Sequence, residues 1–514
     1  MAENPHNHGL FPLQKGILTP SRIIGGIVII TALFISLSLI FTQSIRLDEA
    51  QSIWFTTKSV PSILALSAED VHVPLYILIL HYWVQIFGSS IVIVRLFSFL
   101  FFLITIPIYY LFVRDSSTEE VAITAVCLFV LSPFILWYSA EGRNYALFTL
   151  ISTVSSLTFV RLHTSNLRHS KIPYVIATII GLYTHYFFLL LIFTQWLYFV
   201  GVRVIKAING PHTSLLSRIK AALSREIFVY TGLVVFSVLT LIPWVYLFIK
   251  AGAGSSTSPL IPPPTTYNLF QTYINFIFGF QSSAVQNVLI SFWPILTIFL
   301  FLVFTIRRKV HINDLGYLIM VTFVPVLIAY LTSFIKPVFL TRYLIFITPT
   351  LFFIIAWVMI NSFKRISSWV VLATFIVLFG FIIFQSISVG NPVEENYQQV
   401  AEYLSHYTTP SDIIVATAPF TIYPIEYTYK GTTRITTMPE WNRYESGEIP
   451  SYNETGIKAQ VVRYKKQYIR MYVVYSYDQG YEQKIKHYLD TSFSMLDKKQ
   501  FSEKLEVRVY RLRY

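Results

Sequence analysis

V-P-L-Y-I-L-I-L-H-Y-W-V-Q-I-F-G (Val73–Gly88) is the stretch on which the orientation of every later segment turns. It is apolar enough for a membrane, yet it has only 16 residues, opens with Pro74 and contains His81, Tyr82, Trp83 and Gln85. A spanning helix needs about 20 apolar residues. Eleven other runs approach that length: Ile23–Thr42, Ile91–Val113, Val121–Tyr138, Tyr145–Val160, Ile172–Thr184, Phe187–Val204, Ile227–Ile249, Val288–Ile306, Leu315–Phe334, Tyr343–Ile360 and Ser368–Ser386. If Val73–Gly88 lies along the interface, the loops on the N-terminal side hold 16 Lys/Arg and the opposite loops hold seven. If it spans, every later loop flips and the excess moves outside. Basic loops stay in the cytoplasm, so the stretch reads as an interfacial helix lying in the headgroup plane. The N-terminus is then cytoplasmic, and Asn391–Tyr514 lies outside.

The composition supports a membrane reading. Of 514 residues, 54% are hydrophobic and 13% charged, against about 25% charged in a soluble domain. Mean hydropathy is +0.58. The net charge of +13 is carried by residues 1–390, where 23 basic residues face 11 acidic ones, while residues 391–514 carry 16 against 15. The excess is spread over short loops, not clustered on the basic face that nucleic acid requires, so no nucleic-acid partner is expected. The single cysteine, Cys127, excludes a disulfide framework within the chain and reads as a small buried hydrophobe. Ile23–Thr42 is too long for a signal-peptide core and reads as an uncleaved anchor.

The expected fold is therefore a multi-pass α-helical membrane protein of about eleven transmembrane helices plus interfacial helices, with a small C-terminal extracytoplasmic α/β domain. The division falls at residues 1–390 and 391–514. In the tail, Tyr397–His406 and Glu482–Leu489 read as helices, and Asp412–Ala416, Thr433–Thr437, Tyr468–Tyr477 and Leu505–Tyr514 as strands.

The outer acidic residues are Asp48, Glu49, Glu69, Asp70 and Glu141. Asp48-Glu49 follows the first span in R-L-D-E-A-Q-S-I-W (Arg46–Trp54), and Glu141 stands where a later span ends, in S-A-E-G-R-N-Y (Ser139–Tyr145). A carboxylate at a span's mouth is costly and points to function. Arg143, Lys336 and Arg342 sit on the same side against the positive-inside trend, so a local anion such as a phosphate is expected there. His72 and His185 share this face and suit hydrogen bonding to a polar substrate. A divalent metal is possible, but no H-x-x-x-H or H-E-x-x-H spacing supports one.

The order of motifs resembles the GT-C superfamily of membrane glycosyltransferases, in the branch of protein O-mannosyltransferases and aminoarabinose lipid A transferases. The matching pieces are D-E-A (Asp48–Ala50), H-V-P-L-Y (His72–Tyr76, where the family usually has H-P-P-L-Y), and L-S-P-F-I-L-W-Y-S-A-E-G-R-N-Y-A-L (Leu131–Leu147). T-H-Y (Thr184–Tyr186) and K-P-V-F-L-T-R-Y-L (Lys336–Leu344) follow. The tail segments N-Y-Q-Q-V-A-E-Y-L (Asn396–Leu404) and S-D-I-I-V (Ser411–Val415) resemble the family's outer domain.

The resemblance implies an enzyme in the cell membrane that takes a sugar from a polyprenyl-phosphate donor and passes it, with inversion, to an extracytoplasmic acceptor: a protein hydroxyl, a glycan or a lipid. Asp48, Glu49 and Glu141 become the catalytic candidates. Asp48 is the base, and Glu49 shapes the site through hydrogen bonds. His72, Tyr76, Arg143, Tyr145, His185, Lys336, Arg342 and Tyr343 become the substrate-binding candidates. The alternative is a polytopic transporter or flippase for a lipid-linked or small polar substrate, which favours broken helices and mid-membrane polar sites, often in repeated halves.

Overall fold

A computed structural model describes residues 20–70, 72–164, 170–210, 224–251, 262–292, 315–362, 367–387, 396–444, 449–502 and 505–513. The first ten helices are α1 (Pro20–Thr42), α2 (Leu47–Thr56), α3 (Val60–Glu69), α4 (Leu75–Phe87), α5 (Ile91–Ser116), α6 (Glu119–Leu131), α7 (Pro133–Ser139), α8 (Tyr145–Thr164), α9 (Lys171–Thr184) and α10 (Phe188–Ile208). Among the described residues, seven helical segments are long and apolar enough to cross a membrane: those starting at Ser21, Ile91, Tyr145, Phe188, Arg225, Leu315 and Thr341. The pair α6–α7, bent by 66°, has that length and apolarity only when its two helices are taken together, as a broken span or a re-entrant loop.

That break has a local cause. Ser132 ends α6, and its hydroxyl accepts from the Ile135 N–H (3.3 Å) to cap α7. Pro133 then takes the first position of the new helix, where its missing N–H costs nothing.

The described residues do not reach the expected eleven spans. Ile172–Thr184 becomes the 14-residue α9, and Val288–Ile306 lies largely outside the described residues. The last run forms the helix Ser367–Ile387, of which Trp369–Gln385 ranks among the shorter apolar helices. Val73–Gly88 forms α4, whose 13 residues cover about 20 Å at 1.5 Å per residue, short of the ~30 Å hydrocarbon core. Its Ile79, Tyr82, Ile86 and Phe87 are exposed while Tyr76, Ile77, Leu80 and His81 are buried. That two-sided pattern fits an interfacial helix.

The C-terminal residues build a five-stranded sheet from β1 (Asp412–Ala416), β2 (Arg434–Thr437), β3 (Arg470–Tyr475), β4 (Ser494–Ser502) and β5 (Leu505–Arg511), in the order β2-β1-β3-β5-β4. β1 runs parallel to β2 and β3; β5 runs antiparallel to β3 and β4. Successive side chains of a strand point to opposite faces. Ile414 and Ala416 accordingly pack with the helix Tyr397–Tyr407, and Ile413 and Val415 with the helix Glu454–Gln467.

Candidate active site

Helix α2 is ten residues long, and a helix that short does not hold itself in water. Glu49 anchors it. The Glu49 carboxylate is fully buried and accepts two bonds from Arg95, Nε at 2.9 Å and Nη2 at 2.7 Å. It also accepts the backbone N–H groups of Arg46 (3.0 Å) and Gly142 (2.9 Å). Arg95 in turn donates to the carbonyls of Ile40, Gln43 and Ser44 at 3.1, 2.8 and 2.8 Å. Ile40 is in the last turn of α1 and Gln43 and Ser44 follow it, at the helix end where a cation is favoured. Gly142 permits the close approach, because a Cβ there would meet Val94 at 2.6 Å. One buried ion pair thus binds the end of α1, the start of α2, α5 and the loop after α7.

Asp48 is the next residue on α2, and its surroundings differ. Its carboxylate is about a quarter exposed and pairs with Arg342 at 3.2 Å, across 294 residues of chain. Burial opposes its ionisation, but Arg143 and Arg342, with His72 and Arg46 behind them, outweigh burial and hold its pKa below the usual 3.8. Asp48 is therefore a carboxylate at neutral pH.

Arg143 donates to the Ser52 hydroxyl (3.3 Å) and to His72 Nε2 (3.1 Å). His72 Nδ1 lies 2.6 Å from the Asp70 carbonyl oxygen and 3.3 Å from the Asp70 carboxylate. Glu141 is buried and paired at 3.3 Å with Arg46, whose guanidinium lies 3.6 Å over the Trp137 ring. Burial dominates here and pushes Glu141 up to about 7, against the pull of Arg46. Three carboxylates (Asp48, Glu49, Glu141) thus meet four guanidiniums (Arg46, Arg95, Arg143, Arg342). The surplus is positive.

His185 stacks on Phe148 at 4.6 Å and lies 5.1 Å from the Tyr343 ring. Its Nδ1 accepts the Phe187 N–H at 3.1 Å. Burial, then the nearby His72, Arg143 and Arg342, lower its pKa to about 3, so it is neutral and presents Nε2–H as a donor. Tyr145 is buried against Tyr138, ring centroids 4.8 Å apart.

Residues 71–247 match the family described as dolichyl-phosphate-mannose-protein mannosyltransferase. Among solved structures, apo ArnT from Cupriavidus metallidurans is similar over 95% of this chain and 97% of its own, at 13% identity and a TM-score of 0.55. The chain resembles the GT-C membrane glycosyltransferases. Weaker similarities are to the apo Archaeoglobus fulgidus oligosaccharyltransferase (12% identity, 88% of this chain, 69% of that chain, TM-score 0.49) and arabinofuranosyltransferase AftD from Mycobacteria (14% identity, 94% and 41%, TM-score 0.47). No curated protein sequence matches the chain.

Within this GT-C-like frame, the structure brings together Asp48, Glu49, His72, Glu141, Arg143, Tyr145, His185, Arg342 and Tyr343. Two candidates stand apart. Tyr76 is buried, and its hydroxyl meets Ser98 (2.8 Å), which donates to the Arg143 carbonyl (3.1 Å); it props the loop from behind. Lys336 is exposed before the 3-10 helix Thr341–Ile347 and has no polar contact with the cluster among the described residues.

Arg46 and Arg95 are not among the candidates that the sequence singles out. Arg95 lies inside the apolar run Ile91–Val113, and a charge there was the available signal. Among the described residues, no group of three His, Cys, Asp or Glu is disposed to hold a metal.

Proposed function

We propose that the chain is an inverting glycosyltransferase that moves a hexose or pentose from a polyprenyl-phosphate donor to an acceptor outside the cytoplasm. Residues 1–390 form the catalytic membrane domain and residues 391–514 an outer α/β domain. The N-terminus is cytoplasmic, as the basic loops favour.

The observation that carries this reading is the junction of an ionised, partly open carboxylate with two guanidiniums, Asp48 with Arg342 and Arg143, at the mouths of spans. The matched family is named for a lipid-phosphate sugar donor. Sugar transfer passes through an oxocarbenium-like state. The acceptor O–H gives its proton to Asp48, and its oxygen bonds to the anomeric carbon. The bond from that carbon to the phosphate oxygen breaks, with its electron pair leaving on the phosphate. Arg342 and Arg143 stabilise that charge as it grows.

Glu141 has a pKa better matched to neutral pH, but reach comes before pKa in choosing a base. The Glu141 side chain is 5% exposed and that of Asp48 is 23%. Donor phosphate competes with Asp48 for Arg342, so donor binding frees the base at the moment it is needed.

Arg342→Ala tests the phosphate role in membranes supplied with a polyprenyl-phosphate sugar. A hydrogen bond to a charged group contributes about 1.5–3 kcal/mol, so donor KM is expected to rise about tenfold or more, with acceptor KM little changed. Unaltered donor saturation would make Arg342 structural. Mass spectrometry of glycans and glycolipids from cells with and without the gene identifies the acceptor.

A further inference from the structure

The C-terminal sheet and its helices reach the membrane half at α2 and at the start of α5. On the last turn of α2, the Trp54 ring lies 5.2 Å from Tyr423 and 5.7 Å from Tyr444, centroid to centroid. Arg443, 3% exposed, stands among these rings, its guanidinium 5.2, 4.9 and 5.4 Å from Trp54, Tyr423 and Tyr444. An ion pair to Glu426 fixes its other side. Lys58, just past α2, lies 4.2 Å from the Trp54 ring and 4.7 Å from Tyr444. Below them, Ala50 and Ile53 of α2 share one buried cluster with Ile422 and Tyr423. At α5 the Ile91 N–H donates to the Tyr427 hydroxyl at 2.9 Å, one turn before Arg95.

These contacts fall on the two helices that the Glu49–Arg95 pair joins. Glu49 anchors the first turn of α2, Arg143 meets Ser52 one turn on, and His81 of α4 meets the Thr56 carbonyl. Trp54 lies six residues beyond Asp48, about 9 Å along the axis, and adds a contact to the C-terminal helices at the far end of α2. Cations over aromatic faces hold well where water is excluded, and the rings add packing with defined geometry.

We infer that Trp54 and Arg443 are positioning residues: through them the C-terminal sheet and its helices set the tilt of α2, and so the aim of Asp48. The consequence for catalysis rests on the reading of Asp48 as the base; the clamp itself does not.

The test uses the purified full chain in lipid nanodiscs, with Arg443→Ala, Trp54→Ala and Trp54→Phe beside the wild type and Asp48→Asn. Hydrogen exchange is followed by mass spectrometry in peptides covering α2 and in those covering β1 and β3. Transfer from a polyprenyl-phosphate sugar is measured in parallel. Both alanine variants are expected to raise α2 exchange by about tenfold, the scale of a lost desolvated cation–aromatic contact, while β1 and β3 stay protected. Their kcat is expected to fall by about the same factor with donor KM unchanged, and Trp54→Phe, which keeps an aromatic face, restores both. Unchanged α2 exchange overturns the inference, and so does an equal loss of protection in β1 and β3, which marks general unfolding. Should Asp48→Asn transfer sugar at the wild-type rate, the reading of the base falls while the exchange data still decide the clamp.

Discussion

Two of the polar groups among the described residues of the helical half are built on opposite rules. Inside the helix bundle, Gln195 of α10 accepts from Tyr174 (2.9 Å) and donates to Ser155 and Tyr317 (both 3.2 Å), while Tyr174 meets Tyr230 at 2.7 Å. Every member is neutral, and hydrogen bonds join them all. At the helix mouths, Asp48, Glu49, Glu141, Arg46, Arg95, Arg143 and Arg342 are ionisable, and cations outnumber carboxylates. A neutral, saturated network glues helices together. A charged group with surplus cation, open to one side, is prepared for an anion.

The contrast is broken most severely at the pair beneath the charged group. Arg95→Leu leaves Glu49 buried without its partner, a loss of about 3–5 kcal/mol. That is a large share of a domain's stability of about 5–15 kcal/mol, so the variant is expected to accumulate poorly in the membrane, as immunoblots of membrane fractions will show. Pairing it with Glu49→Leu removes the orphan charge and is expected to recover part of the protein.

Glu141 sharpens the contrast through pH. Its pKa rises from the usual 4.5 to about 7 because burial disfavours the charge. The folded protein therefore holds a proton that the unfolded chain releases between those values. The stability this contributes is fully present below about pH 4.5 and is lost as pH rises through about 7. Glu141→Gln stays neutral throughout and is expected to flatten that slope. Thermal unfolding of both proteins across the window checks it.

The smallest effect belongs to the glue. Gln195→Leu removes hydrogen bonds inside the bundle, where each contributes on the order of 0.6–1.7 kcal/mol. A modest drop in unfolding temperature with sugar transfer unchanged is expected; a large loss of transfer would erase the distinction between the two groups.

Much of the charged group was legible in the chain because carboxylates and guanidiniums at span mouths are expensive, and Asp48, Glu141, Arg143 and Arg342 all stand there. Their pairing was not. Asp48 and Arg342 meet across 294 positions, and nothing in local spacing announces it. Glu49 and Asp48 are neighbours with the same chemistry, yet helix rotation buries one and leaves the other partly open. Tyr76 belongs to a recognisable motif, but its hydroxyl serves the backbone behind the site. In the tail, β1 was readable as a continuous apolar run. β4 was missed because seven of its nine residues are exposed and its pairing is interrupted twice, so it lacks the apolar alternation that marks a strand.

Transfer by the Asp48→Asn variant tests most directly whether Asp48 takes the acceptor's proton. Wild-type and variant protein, matched for amount in the membrane, are supplied with a polyprenyl-phosphate sugar, and sugar released from the donor onto the acceptor is counted. A positioned general base contributes about 10²–10⁴-fold to the rate, so transfer is expected to fall by that factor with expression intact. Transfer by Asp48→Asn at the wild-type rate would contradict the assignment.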